Sequence, residues 1–355
     1  MNFDGRRATA QVVRALTAYR QPDFANFEAV LAGKRPARPC LFELFLNDGL
    51  HEELAGAKPD TGLGDFTDHC VWMMNAYRAA GYDYFTLNAP FSFPRKEHPG
   101  ARTYSLNATA LINDRESFLA CPWPDARAQD YSYLDFIGER LPPGMKAVPL
   151  APCGVLENAV GLLGYENLCL LLYDDEHLVK QVFDTIGSIL LDYYSVVSAA
   201  PCSGAVIVND DWGFKTQLMI SAADMRKYVV PWQLKFVDVI HAAGKRAILH
   251  SCGCLRAIEE DVFAPGGFDA KHSYEDNIEP VENAYERLAG KVAVLGGIDL
   301  DFVCRQSPRE VYLRAKRMLK LTAVTGGYAL GTGNSVPDYV PHQNYYAMLL
   351  AALED

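Results

Sequence analysis

Arg246-Ala247-Ile248-Leu249-His250-Ser251-Cys252-Gly253 reads as a short apolar strand that runs straight into polar, metal-capable residues. A helix-like stretch precedes it and closes at Ala243-Gly244-Lys245. An apolar run this short is too little for a helix and suits a strand buried on both faces. His250 and Cys252 stand two apart at the strand's end and so point to the same side. An imidazole and a soft thiolate are both good zinc ligands. A packed or merely hydrogen-bonded Cys/His pair is the plainer reading of the same spacing.

The same unit recurs along the chain. Further apolar runs that end in small or polar residues are Cys40–Asp48, Tyr82–Asn88, Met145–Ala151, Ala205–Asp211, Phe268–Ser273, Val292–Gly297 and Tyr328–Gly333. Helical stretches lie between them, among them Asp175–Ala200, Ala222–Ala243, Ile278–Ala289 and Pro308–Thr325. Buried strands alternating with amphipathic helices imply a parallel sheet, and eight such units imply a closed (β/α)8 barrel. A doubly wound open sheet is the alternative, but no G-x-G-x-x-G turn follows the first strand. The expectation is one barrel domain over 1–355, with a helical extension over 1–38. An insertion over Arg102–Gln129 follows the second strand, with a possible hairpin from Tyr104–Asn107 and Thr109–Asn113.

The chain has 355 residues, half of them hydrophobic and 22% charged, ample for a large core. The net charge of −11 argues against nucleic acid as the main partner, since phosphate binding needs clustered cations. No apolar run reaches the roughly 18 residues a membrane span needs. The start, Met1–Arg7, has no apolar leader core. Nine scattered cysteines fit a reducing cytoplasm better than a disulfide framework.

A barrel of this kind gathers its strand ends at one mouth. The residues brought there are Asn47 and Asp48; Asn88; Cys153 and Glu157; Asn209, Asp210, Asp211 and Trp212; His250, Cys252 and Cys254; His272 and Glu275; Asp299; and Asn334. Asp48, Asp211 and Asp299 suit helix N-caps as well as ligand contacts. Glu275, on the strand unit after Cys252, can complete a His250/Cys252/Glu275 zinc site with a fourth position open for substrate. His272 competes for the third place, and Cys254 reads as packing. Paired carboxylates raise one another's pKa, so Asp210 or Asp211 can serve as a general acid, bind an ammonium, or simply cap and turn the chain. Asn47, Asn88, Glu157, Trp212, Asp299 and Asn334 are the expected substrate contacts.

Asp210-Asp211-Trp212-Gly213, Val230-Pro231-Trp232, His250-Ser251-Cys252-Gly253, Gly296-Gly297-Ile298-Asp299 and Gly331-Thr332-Gly333-Asn334-Ser335-Val336-Pro337 together resemble the uroporphyrinogen decarboxylase superfamily. Gly161-Leu162-Leu163-Gly164-Tyr165-Glu166-Asn167 is similar to its segment before a central helix. The likeness is close from Met145 onward and loose before it. It implies a (β/α)8 barrel and one of two activities. One branch decarboxylates uroporphyrinogen without metal; the other uses zinc to move a methyl group between a corrinoid protein and a thiol or similar acceptor.

The decarboxylase's arginine-rich N-terminal signature has no counterpart in Arg38–Asn47. Its aspartate after the second strand has none in Thr86-Leu87-Asn88-Ala89-Pro90. His250 and Cys252 match the methyltransferase H-x-C, while Asn334 stands where that branch carries a later cysteine. Glu275 matches in spacing the acidic ligand of the similar methionine synthase barrel. No Asp-x-His-x-x-Gly cobalamin signature occurs, so a corrinoid would arrive on a partner protein docked over the mouth. The expected function is zinc-dependent methyl transfer on a small molecule, with a metal-free lyase acting on a carboxylated substrate as the alternative. A non-catalytic barrel would have no need of so many polar groups at its mouth.

Overall fold

The computed structural model describes residues 8–59, 66–96, 105, 107 and 110–354. Seven strands form one parallel sheet in simple sequence order: β1 Tyr84–Asn88, β2 Lys146–Leu150, β3 Ala205–Asn209, β4 Arg246–His250, β5 Ala270–His272, β6 Ala293–Leu295 and β7 Tyr328–Ala329. Nearly every strand residue is buried, because helices cover one face and the strands' own side chains fill the other. The strand over Arg246–His250 falls where the sequence puts it. The others are trimmed at one or both ends.

The eighth expected strand, Cys40–Asp48, is not formed. Leu41 bridges Leu330 and Leu46 bridges Val336, both in parallel, but no ladder joins them. The interruption has a local cause. Phe42 donates to the Leu330 carbonyl at 2.8 Å and Val336 to that of Phe45 at 2.9 Å. Between them the Thr332 N–H is taken at 2.7 Å by the side chain of Glu43 instead of a strand carbonyl. Toward β1 the segment is joined by side chains: the Tyr84 hydroxyl donates to the Glu43 carbonyl at 2.9 Å. The sheet is therefore a curled seven-stranded one, and an eight-stranded closure is not seen among the described residues.

The expected N-terminal extension supplies two helices, Ala10–Thr17 and Phe24–Leu31, capped by Thr9 and Asp23. The second packs below the strands' starting ends: Phe27 stacks on Tyr84 with ring centres 4.7 Å apart. The long helix Glu176–Ala199, capped by Asp175, falls within the helical stretch Asp175–Ala200 read from sequence. The expected Ala222–Ala243 helix widens into a π turn over Met225–Val229, with Val230 donating to Met225. Pro231 explains this: it has no N–H for the preceding turn and its ring crowds that turn's carbonyl. The possible hairpin over Tyr104–Asn113 lies largely outside the described residues. No single described helix is long and apolar enough to cross a membrane.

Candidate metal centre at the strand ends

The ends of β3, β4 and β5 and the loop after β7 meet at one point. Asp211, His250 and Cys252 each offer a ligand atom there, all within 4.8 Å of one another. His250 Nε2 lies 3.9 Å from Asp211 Oδ1 and 4.0 Å from Cys252 Sγ. Zinc bonds of about 2.0–2.3 Å require ligand atoms roughly 3.3–3.8 Å apart, so a small inward shift closes the set. Asp211 is held in place by the Cys252 main-chain N–H, which donates to Oδ1 at 2.8 Å.

The donor chemistry fits a divalent cation. Burial, and then the Asp211 carboxylate, push the Cys252 thiol up to about 12. Burial pulls His250 down to about 4, so its ring is neutral at pH 7. One thiolate, one carboxylate and one neutral imidazole balance two positive charges, which removes the repulsion that otherwise keeps the thiol protonated. Asn334 Nδ2 donates to Cys252 Sγ at 3.3 Å. Its amide orientation is fixed because Oδ1 accepts from the Ser335 N–H at 2.8 Å.

Glu275 is not in this cluster. The place beside Cys252 contributed by β5 belongs to Ser273, whose Oγ is 3.8 Å from the sulfur. Two residues further on, the main chain has turned away, and the Glu275 carbonyl accepts the N–H groups of Ile278 and Glu279. Asp211 takes the place expected for Glu275. His272 is not in the cluster either, and both its ring nitrogens have other partners: Nδ1 at 2.8 Å from His250 Nδ1, Nε2 at 3.2 Å from the Thr332 carbonyl.

Asp210 is fully buried, and its carboxylate is hydrogen-bonded to the chain. It accepts the main-chain N–H groups of Val155, Leu156 and Glu157 at 2.9, 3.1 and 2.9 Å, and Gln233 Nε2 at 2.9 Å. These are the orphan donors that begin the helix Val155–Leu163. The residue at that helix's N-cap is Gly154, which has no side chain to cap with. A Cβ there would sit 2.1 Å from Asp210 Cβ, so the glycine admits a cap supplied by the neighbouring strand.

Three expected substrate contacts are likewise spent on structure. Asn47 caps the helix Asp48–Ala55, accepting from Leu50 at 2.9 Å and donating to the Pro337 carbonyl at 3.2 Å. Asp299 accepts from Phe302 and Asp276, both at 2.8 Å. Trp212 is wholly enclosed in the core. Asn88 ends β1, half-buried. Glu157 accepts weakly from the Gly154 N–H at 3.4 Å, and burial, then the charges of Asp210 and Asp211, push it up to about 8.

Glu43 was missed by motif reading, although one acid inside the apolar run Leu41-Phe42-Glu43-Leu44 is itself a signal. It is fully buried, and its Oε2 lies 2.7 Å from Thr332 Oγ1, which is also 3.0 Å from the Asn334 carbonyl. One hydroxyl proton cannot serve two acceptors. The contacts are all satisfied if Glu43 is neutral and donates to Thr332 Oγ1, which donates onward to Asn334. Burial accordingly pushes Glu43 up to about 8.

A folded-state value above the unfolded one means that the native protein holds the extra proton. Glu43 then stabilises fully below pH 4.5 and loses that contribution as pH rises to about 8, at up to about 1.4 kcal/mol per pH unit. Glu43→Gln mimics the neutral acid and is expected to remove this slope. Urea unfolding of both proteins between pH 5 and 8 checks it; a stability difference that stays flat across the range refutes the neutral assignment.

The family model described as uroporphyrinogen decarboxylase matches residues 147–354. A methyltransferase from Methanosarcina mazei shares the fold with a TM-score of 0.67 at 17% identity, covering 98% of each chain. A chitinase from Chromobacterium violaceum aligns at 11% identity over 82% of this chain and 97% of its own, with a TM-score of only 0.36. Among curated proteins no sequence matches.

Proposed function

The chain belongs to the uroporphyrinogen decarboxylase family, and from that premise we propose that it is a zinc-dependent methyltransferase acting between a corrinoid protein and a thiol or similar acceptor. The observation that carries this reading is the convergence of Asp211, His250 and Cys252 within 4.8 Å at the strand ends. These three residues would hold the ion, leaving a position for the acceptor. Bound zinc would supply Lewis acidity, keeping an acceptor thiol ionised at neutral pH.

The surrounding residues orient and neutralise. Asn334 donates toward the Cys252 sulfur and so limits the charge it pushes onto the ion. Asp211 is fixed by the Cys252 N–H rather than free to swing. Asn88 and Glu157 remain as contacts for the small molecule. Arg95, exposed on the loop after β1, is anchored to Asn158 Oδ1 at 2.9 Å and can meet an anionic acceptor. The M. mazei neighbour, itself described as a methyltransferase, agrees with this reading. The corrinoid would have to come on a partner, since this chain carries no signature for it.

One observation favours the metal-free lyase reading. Glu157, half-buried, has its carboxyl pushed up to about 8 by burial and then by the charges of Asp210 and Asp211, and so could give a proton to a carbanion left by loss of CO2. The two readings separate on one experiment. Protein purified without added metal is incubated with free methylcob(III)alamin and 2-mercaptoethanol, and its metal content is measured in parallel. About one zinc per chain, together with thiol-dependent loss of the methylcobalamin absorbance, is the expected result. Absence of zinc after reconstitution, with no demethylation, would leave the lyase reading in its place.

A further inference from the structure

The proton positions behind the metal centre can be worked out from its hydrogen bonds. His272 Nε2 faces the Thr332 carbonyl, which can only accept. That nitrogen therefore carries hydrogen. The two Nδ1 atoms of His250 and His272 face each other at 2.8 Å and must share one proton. If His272 held it, His272 would be an imidazolium wholly buried against Phe42, with no carboxylate hydrogen-bonded to it among the described residues. An unpaired buried charge is too costly for that arrangement. The proton then belongs to His250 Nδ1, and His250 Nε2 is left with a bare lone pair, aimed at Asp211 and Cys252.

We propose that His272 is a positioning residue that locks His250 into the Nδ1–H tautomer, and that Glu43 holds His272 in place through Thr332. The chain of contacts is continuous. Glu43 takes the Thr332 N–H and pairs with its hydroxyl, both at 2.7 Å; the Thr332 carbonyl takes His272 Nε2–H; and His272 Nδ1 takes His250 Nδ1–H. Main-chain pairing keeps the rings in register, since His250 and His272 are direct partners across β4 and β5. An isolated neutral imidazole prefers hydrogen on Nε2, the nitrogen needed here as ligand. The protein reverses that preference before any ion arrives. This rests on the zinc reading for its purpose, but the tautomer itself is a property of the metal-free chain.

The test uses apo protein with 15N-labelled histidine, its long-range 1H–15N NMR spectrum, and His250→Ala to assign the His250 signals. The wild type is expected to show His250 protonated at Nδ1 and bare at Nε2. In His272→Phe the proton is expected to move to Nε2 and Co2+ affinity, read by visible absorption, to fall about 10–100-fold. His272→Asn, whose Oδ1 can accept from His250 Nδ1–H, is expected to keep the wild-type tautomer and affinity within about threefold; it also guards against a Phe variant that fails to fold. A wild-type spectrum with hydrogen on Nε2, or an unchanged tautomer in a folded His272→Phe, overturns the proposal. A correct tautomer in wild-type protein that binds no Co2+ would instead sink the metal reading and leave the positioning chain standing.

Discussion

Asp210→Ala is expected to cost about 3–6 kcal/mol of folding stability, the largest effect of any single change at the mouth. The carboxylate is fully buried and satisfies three main-chain N–H groups of the helix Val155–Leu163, plus the Gln233 amide. Leaving a buried donor unpaired costs about 1–3 kcal/mol, and alanine would strand several at once. Whole domains are stable by only about 5–15 kcal/mol, so the variant would sit near the edge of unfolding. Asp210→Asn should lose roughly half as much, because its amide nitrogen must face an N–H donor in place of one oxygen. Denaturant unfolding followed by circular dichroism measures both. A variant as stable as the wild type but catalytically dead would return Asp210 to the role of proton donor that its pairing with Asp211 suggests in the sequence.

That contrast marks where sequence reading reaches and where it stops. The strands were legible because a parallel strand buried on both faces is a short apolar run, and β4 falls where that run stops. Cys40–Asp48 has the same appearance, yet Glu43 spends its side chain on the Thr332 N–H and breaks the ladder. Burial of one acid in an apolar run was visible; what it would bond to was not. Asp299 was readable as a helix cap from residue type alone, and as a cap it appears; at the earlier helix the cap is Asn47, one residue before the Asp48 that the sequence offered for that place. Asp210 could not be read so, because its helix begins 55 residues earlier, at Val155, and its role depends on Gly154 leaving room.

The third metal-capable group failed for a different reason. Spacing identifies which strand end a residue follows, but not how the loop turns after it. Glu275 and Asp211 both follow a strand by two or three residues. Asp211 is turned inward by the Cys252 N–H, while Glu275 lies past Ser273, where the chain has already curved into its next turn. The pairing of His250 with His272 was within reach: both end adjacent parallel strands, and the strand ends align in register.

Cys252→Ala is expected to weaken divalent metal binding by about 100–1,000-fold while leaving the fold intact. A four-ligand zinc site in a small domain is worth about 10–16 kcal/mol, so one strong ligand accounts for roughly 3–4 kcal/mol of it. The thiol is packed among polar partners rather than core side chains. Its loss therefore removes a sulfur and leaves only the Asn334 amide short of an acceptor. Co2+ titration gives a direct reading, because the sulfur-to-cobalt charge-transfer band should vanish in the variant while weaker ligand-field bands remain at high metal. Asp211→Ala should also lose affinity, and Glu275→Ala should not, which separates the geometry of this site from the spacing-based assignment. Equal losses for Glu275→Ala and Asp211→Ala would mean that the loop after β5 folds inward when metal binds. A Cys252→Ala protein that binds Co2+ as tightly as the wild type would remove the thiol from the site, and with it the chemical basis for assigning methyl transfer.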